Sequence, residues 1–151
     1  MKRELERKFL VQKVPPDLDR HSHRTIDQGY LALEPDGIEV RLRKKGDAYL
    51  LTVKRGRGSA RDEKEIDLTQ EQFTALWPIT AGRRLQKVRY DIPHGKFTIE
   101  LDRYTGTNTG LIVAEVEFDD EETMAAFVPP DWLGEEISEN RAYSNRHLAT
   151  E

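Results

Sequence analysis

Charged residues recur along this chain at a spacing of two. Glu4-x-Glu6-x-Lys8, Arg41-x-Arg43, Glu63-x-Glu65, Lys87-x-Arg89, Glu100-x-Asp102 and Glu115-x-Glu117 all show it, and Lys54 shares parity with Thr52 against Leu51 and Val53. Successive side chains of a strand point to opposite faces, so each set occupies one face of its strand. A single such set is the ordinary polar face of a half-buried sheet. Together they amount to eight acids (Glu4, Glu6, Glu63, Glu65, Glu100, Asp102, Glu115, Glu117) and six bases (Lys8, Arg41, Arg43, Lys54, Lys87, Arg89), a collection with chemistry of its own. Clustered carboxylates suit hard divalent cations that take oxygen ligands, magnesium or manganese. Arginine offers phosphate oxygens a bidentate fork and lysine a point charge. A ligand carrying several phosphates together with divalent metal would use both sets.

The elements that must hold these residues are strands. Period-2 patterning predicts them at Arg3 to Val11, Gln28 to Leu33, Glu39 to Lys44, Tyr49 to Lys54, Glu63 to Leu68, Leu85 to Ile92, Lys96 to Arg103 and Leu111 to Phe118. Helix signals are fewer. Thr69-Gln70-Glu71-Gln72 has capping-box form ahead of Phe73, Leu76 and Trp77, and Pro78 ends or bends that helix. Asp119 or Asp120 can cap a second helix that stops at Pro129-Pro130, with a short helix near Asn145 to Ala149 and a helical turn near Asp17 to Arg24. Strands with a few inserted helices and no βαβ repeat favour an α+β, antiparallel architecture. An open sheet with charged faces in solvent and a closed sheet with charged faces lining an aqueous interior share the same alternation, so periodicity leaves both standing.

A chain of 151 residues is one domain's worth, 1–151, and charged residues make up 34% of it against a net charge of only −4. That balance argues against a nucleic-acid binder, which carries a basic excess. The absence of cysteine excludes disulfides, thiolate metal sites and cysteine nucleophiles. No apolar run approaches the roughly 20 residues that span a bilayer, so a cytoplasmic protein without membrane partners is expected. Asp17-x-Asp19-x-His21-x-His23 reads as a solvated loop, His94 and His147 as isolated, and Arg55 to Ser59 as a glycine-rich surface loop that lacks the lysine of a phosphate loop. Phe73, Leu76 and Trp77 read as core contacts, and Met124, Phe127, Trp132 and Leu133 as cover for an outer apolar face.

In order along the chain, Glu4-Leu5-Glu6-Arg7-Lys8, Gln28-Gly29-Tyr30-Leu31, Val40-Arg41-Leu42-Arg43, Leu51-Thr52-Val53-Lys54, Glu63-Lys64-Glu65, Lys87-Val88-Arg89, Glu100-Leu101-Asp102, Glu115-Val116-Glu117 and Tyr143-Ser144-Asn145 resemble the CYTH superfamily, the triphosphate tunnel metalloenzymes. The resemblance implies an eight-stranded antiparallel β-barrel, a charged tunnel with a few helices outside. It also implies hydrolysis of tripolyphosphate to pyrophosphate and phosphate with Mg2+ or Mn2+. Carried over by position, Glu4, Glu6, Glu100, Asp102, Glu115 and Glu117 form the metal side, with Glu63 and Glu65 as further tunnel carboxylates. Lys8, Arg41, Arg43, Lys87 and Arg89 form the phosphate cradle, and Arg141 is the nearest match to a basic position, often lysine, before the Tyr-x-Asn motif. Lys54 and Tyr30 resemble a pair that handles the proton of the attacking water. The same fold admits a class IV adenylyl cyclase, a thiamine or nucleoside triphosphatase, and a non-catalytic polyphosphate- or nucleotide-binding module. A homodimer is a permitted assembly.

Overall fold

The computed structural model describes residues 2–34, 37–57 and 60–150, with the side chains of residues 2–4, 57 and 60 outside that description. Its strands are β1 (Lys2–Leu10), β2 (Ser22–Leu33), β3 (Glu39–Lys45), β4 (Ala48–Arg57), β5 (Ala60–Asp67), β6 (Arg84–His94), β7 (Phe97–Thr105) and β8 (Ile112–Glu117). All pairings are antiparallel, and the order β1-β5-β4-β3-β2-β6-β7-β8 closes on itself through β1 and β8. Closure decides between the two arrangements left open by the alternation, and it puts the charged faces inside.

One strand makes the closure work. Residues 2–5 of β1 pair with β5, whereas residues 6–10 pair with β8. The edge that β5 leaves is taken up by residues 134–138: Leu10 N donates to Glu135 O, Gly134 N to Leu10 O and Ile137 N to Lys8 O. Buried backbone groups on that edge are therefore satisfied, as they must be. From there the chain continues into α3 (Asn145–Thr150), which packs Leu148 and Ala149 on Tyr30, Leu85, Tyr104 and Val113. These four residues share the inward parity of the charged ones, so one end of the interior is apolar and covered.

The outward face carries the larger core, where Leu5, Phe9, Ile99, Leu101, Val116 and Phe118 pack with Phe127 and Leu133. Helix α2 (Glu121–Ala126) lies here, capped by Asp120, whose carboxylate accepts from Thr123 N at 2.7 Å. Arg7 pins it to the barrel, donating to the Met124 and Phe127 carbonyls and, in a fork, to Glu136. Helix α1 (Gln70–Leu76) has the expected Thr69 capping box and packs Phe73 between Tyr49 and Trp77. The 3-10 turn after it approaches β2 so closely that a Cβ on Gly29 would stand 2.6 Å from Thr80, which explains a glycine within that strand.

Two expectations are corrected. Strand β2 begins at Ser22, and the helical turn shrinks to a 3-10 turn at Leu18–Arg20. Polar residues there are drawn into the sheet because Arg24 finds Asp91 at 2.8 Å and the His23 ring packs at a tilt against Tyr90, both on β6. Arg55 to Arg57 continue β4 rather than forming a loop, in register with residues 60–62, while Gly58 and Ser59 lie outside the described residues.

Candidate active site

A cavity of about 870 Å³ runs through the barrel interior, lined by charged residues from most of the strands and from the C-terminal segment. Register assembles its walls. On one side Glu6 stands opposite Glu117, Lys8 opposite Glu115, and Glu100 opposite Glu115. Burial pushes the Glu100 carboxyl up, and the neighbouring Glu115, Asp102 and Glu117 push it further, against the pull of Arg89. This wall carries more negative charge than its own cations neutralise. Glu115 itself is held low despite burial by Lys8, Arg89 and Lys87. The side chain of Glu4 lies outside the described residues; its backbone pairs with Arg61.

The facing wall is cationic. Arg41, Arg43 and Lys45 follow one another on the inner face of β3, and Arg89 joins them from β6. Burial, compounded by Arg41 and Arg89, pushes the Arg43 guanidinium down to about 10. Burial and the charges of Arg43, Arg24 and Arg89 likewise lower Lys45. Arg43 has one carboxylate partner, Glu65 at 3.0 Å, which also accepts from Thr52 at 2.8 Å, yet its buried Nε has no hydrogen-bond partner among the described residues. Buried like charges of this kind raise the energy of the ligand-free protein, and a polyanion relieves it.

Between the walls sits a corner that is already neutral. Asp102 has no exposed surface and takes a bidentate fork from Arg89 at 2.7 and 2.9 Å. Lys87 stands 2.8 Å from its Oδ2 as an ion pair rather than a well-aligned hydrogen bond. Burial works against the Asp102 carboxylate, but the two cations override it and hold it well below the usual range. Lys87 is also without exposed surface, and burial pulls it down to about 8.

Lys54 lines the cavity on β4, 4.0 Å from Glu63 and opposite Glu39 in register. Tyr30 lies at the apolar end, fully buried, with its oxygen accepting from Gln28 Nε2 at 2.8 Å. Lys8 donates to the Tyr143 carbonyl at 2.5 Å, so the C-terminal segment is tied to the same wall. Arg141 lines the cavity with Asn145, Arg146 and His147, and Tyr104 donates to Asn145 Oδ1.

Several lining residues were not singled out from sequence. Glu39 and Lys45 share parity with Arg41 and Arg43, and Arg61 with Glu63, so the same alternation contained them. Arg61 donates to Glu39 at 2.9 Å. Arg146 and His147 carried no such signal, because a segment that is not a strand shows no period-2 pattern; His147, read as isolated, faces the cavity. The Asp17 to His23 run adds nothing to the site, and His23 Nδ1 is bonded locally to the His21 carbonyl.

The closed barrel thus sets crowded guanidinium groups on one wall of its tunnel against clustered carboxylates on another. The chain belongs to the CYTH domain family, whose domain matches residues 2–144. It is 44% identical over 149 residues to an inorganic triphosphatase of Nitrosomonas europaea, covering 97% of this chain and 96% of that protein. An inorganic triphosphatase of Acetivibrio thermocellus is 32% identical, covering 98% and 94%. A crystal structure of an inorganic triphosphatase superposes with a TM-score of 0.73 at 41% identity, covering 98% of both chains.

Proposed function

We propose that residues 1–151 act as one unit that hydrolyses inorganic tripolyphosphate to pyrophosphate and phosphate inside the barrel, with Mg2+ or Mn2+. The observation that carries this reading is the crowding of Arg41, Arg43 and Arg89 in the cavity of a closed barrel, opposite the Glu6, Glu100, Glu115 and Glu117 wall. Tyr30, without exposed surface, and His147 are the aromatic residues among the described lining. The cavity thus presents no broad platform for a nucleobase, which favours an inorganic chain over ATP.

The donor set fits a divalent ion. Among the described residues no three carboxylates or imidazoles are drawn tightly enough together to hold a metal outright. Magnesium does not need that, since it binds through one or two carboxylates together with substrate phosphates and water. Glu6, Glu115 and Glu117, with Glu4 and Glu100, would supply those carboxylates, and the surplus negative charge around Glu100 is what a cation would offset. The ion, when bound, neutralises phosphoryl charge and orients water.

The chain's own residues do the remainder. Arg41 and Arg43 grip the phosphate oxygens in forks, Lys8 adds point charge, and Arg141 adds a further guanidinium. Arg89 presents the guanidinium that Asp102 aims, and Lys87 supplies charge from behind it. In this reading Asp102 moves from the metal side to the cradle's support, because two cations already claim both of its oxygens. Water attacks the terminal phosphorus, the bond to the bridging oxygen breaks, and that oxygen leaves with pyrophosphate, its charge met by the cradle. The proton of the attacking water passes to Lys54, which can take it only where its amine has given up its own proton. Tyr30 stays protonated, since burial and Glu39 push its phenol far above its ordinary range, and it acts as a donor. A cytoplasmic location and a homodimer belong to the same reading and are checked by fractionation and sedimentation. Among the described residues no helix is long and apolar enough to cross a membrane.

The test is a panel of tripolyphosphate, ATP, thiamine triphosphate and pyrophosphate, with phosphate and cyclic AMP both quantified. Tripolyphosphate should be cleaved far faster than ATP, and pyrophosphate should resist. Cyclic AMP as the main product would replace this reading with the cyclase. Lys54→Arg keeps the charge but not the titratable base, so turnover should fall about 10²- to 10⁴-fold with affinity retained, and any alkaline rise in rate should vanish.

A further inference from the structure

Gln28 and Tyr30 stand two residues apart on the inner face of β2, and neither has exposed surface. Gln28 Nε2 donates to the Tyr30 hydroxyl oxygen at 2.8 Å. The cross-strand neighbours of Gln28 are Arg43 on β3 and Leu85 on β6. Its Oε1 is buried with no hydrogen-bond partner among the described residues. Methionine would fill the same volume without burying an unpaired amide oxygen, which is destabilising. Stability therefore does not account for glutamine here; what the amide adds is the hydrogen bond to Tyr30.

A phenol carries one hydrogen and accepts through its lone pairs. With Gln28 donating to the oxygen, the Tyr30 hydrogen must point away from Gln28. Tyr30 lies opposite Arg41 in register and lines the cavity, so the tunnel beside the cradle is open to that hydrogen. Were the amide to accept instead, it would take the only hydrogen Tyr30 has. We propose that Gln28 is a positioning residue that fixes the Tyr30 O–H toward the tunnel ligand, an inference that rests on the triphosphatase reading. Its effect belongs to turnover rather than to ground-state binding, because the cradle, not the phenol, carries the ligand's charge.

The experiment is a double-mutant cycle on Gln28→Met and Tyr30→Phe, with Gln28→Glu alongside, assayed on whichever triphosphate the wild type turns over fastest. Gln28→Met should lower kcat about tenfold, the worth of one hydrogen bond in a transition state, with KM changed less than about twofold. In the Tyr30→Phe background the same substitution should cost nothing further, because contacts that act through one another are not additive. Gln28→Glu, whose carboxylate when ionised opposite Arg43 can only accept, should lose turnover as well. An equal loss in both backgrounds would make Gln28 a packing residue, and wild-type turnover in Gln28→Glu would show that donation is irrelevant; either overturns the proposal. The Tyr30 ¹³Cζ resonance reads hydrogen bonding at the phenol without turnover, and it should move in Gln28→Met. An unmoved resonance in an active enzyme refutes the positioning role alone. A resonance that moves in Gln28→Met while the wild type hydrolyses no triphosphate refutes the functional reading, and the role in turnover falls with it.

Discussion

Glu100 and Asp102 sit two residues apart on the inner face of β7, and the barrel treats them in opposite ways. Asp102 is sealed from solvent, forked by Arg89 and paired with Lys87, and its carboxyl is held well below the usual range against the effect of burial. Glu100 meets Arg89 only at 3.4 Å, and burial together with Glu115, Asp102 and Glu117 pushes its carboxyl up. The first has every oxygen committed to the protein. The second belongs to a wall whose charge the protein leaves partly uncompensated. A buried ion pair gains little for stability over apolar packing, but breaking one is costly. The corner should therefore betray itself in unfolding and the wall in ligand dependence.

The largest expected effect is on Asp102→Asn, which leaves Arg89 and Lys87 without their counter-charge and should cost about 3–5 kcal/mol in denaturant unfolding. Glu100→Gln in the metal-free protein should cost far less, because it also removes the repulsion that Glu115, Asp102 and Glu117 exert on that carboxylate. Equal losses in the two variants would erase the contrast. Next comes the cationic wall. Arg43→Ala should lower kcat/KM by the equivalent of about 1.5–3 kcal/mol, the worth of a charge-assisted contact. It should also diminish the rise in Tm that tripolyphosphate produces without metal. Wild-type kinetics and an unchanged shift would remove Arg43 from the cradle.

On the acidic wall, Glu117→Gln keeps shape and removes charge. The metal concentration for half-maximal rate should rise at least about 10- to 100-fold, the range seen when even the support of a metal ligand is lost. The Tm of the metal-free protein should hold. The smallest effect concerns Lys87, whose value in the fold, about 8, lies below the 10.5 of the free side chain. Between those values the unfolded chain binds a proton that the folded chain has released, so stability should rise as pH climbs from about 8 to 10.5. Lys87→Met, with Asp102 still forked by Arg89, should lack that rise when Tm is followed against pH. A wild-type Tm flat across the window would mean that the ion pair keeps Lys87 protonated despite its burial.

Strands were legible because alternation is written locally: Arg41-Leu42-Arg43 and Glu115-Val116-Glu117 show their two faces in three residues each. The Thr69 capping box was legible for the same reason, since all of its atoms lie within four residues. The first six residues of β2 were not, because what makes Ser22 to Asp27 extended is pairing with β6, 59 to 69 residues away. Arg146 and His147 were missed because their position depends on residues 134–138 finding the free edge of β1.

By itself the sequence determined which residues share a face and that those faces are charged, and its ordered motifs resemble one family along nearly the whole chain. It could not determine that Asp102 and Glu100, with the same spacing and the same charge, differ in what they can still bind. Alternation specifies a face but not its partners. Only the register of β6 and β8 on either side of β7, which sets Arg89 opposite Asp102 with Lys87 beside it and Glu115 opposite Glu100, distributes the cations unequally between them, and inside the closed barrel, at these short distances in a poorly solvated interior, that distribution controls their charge.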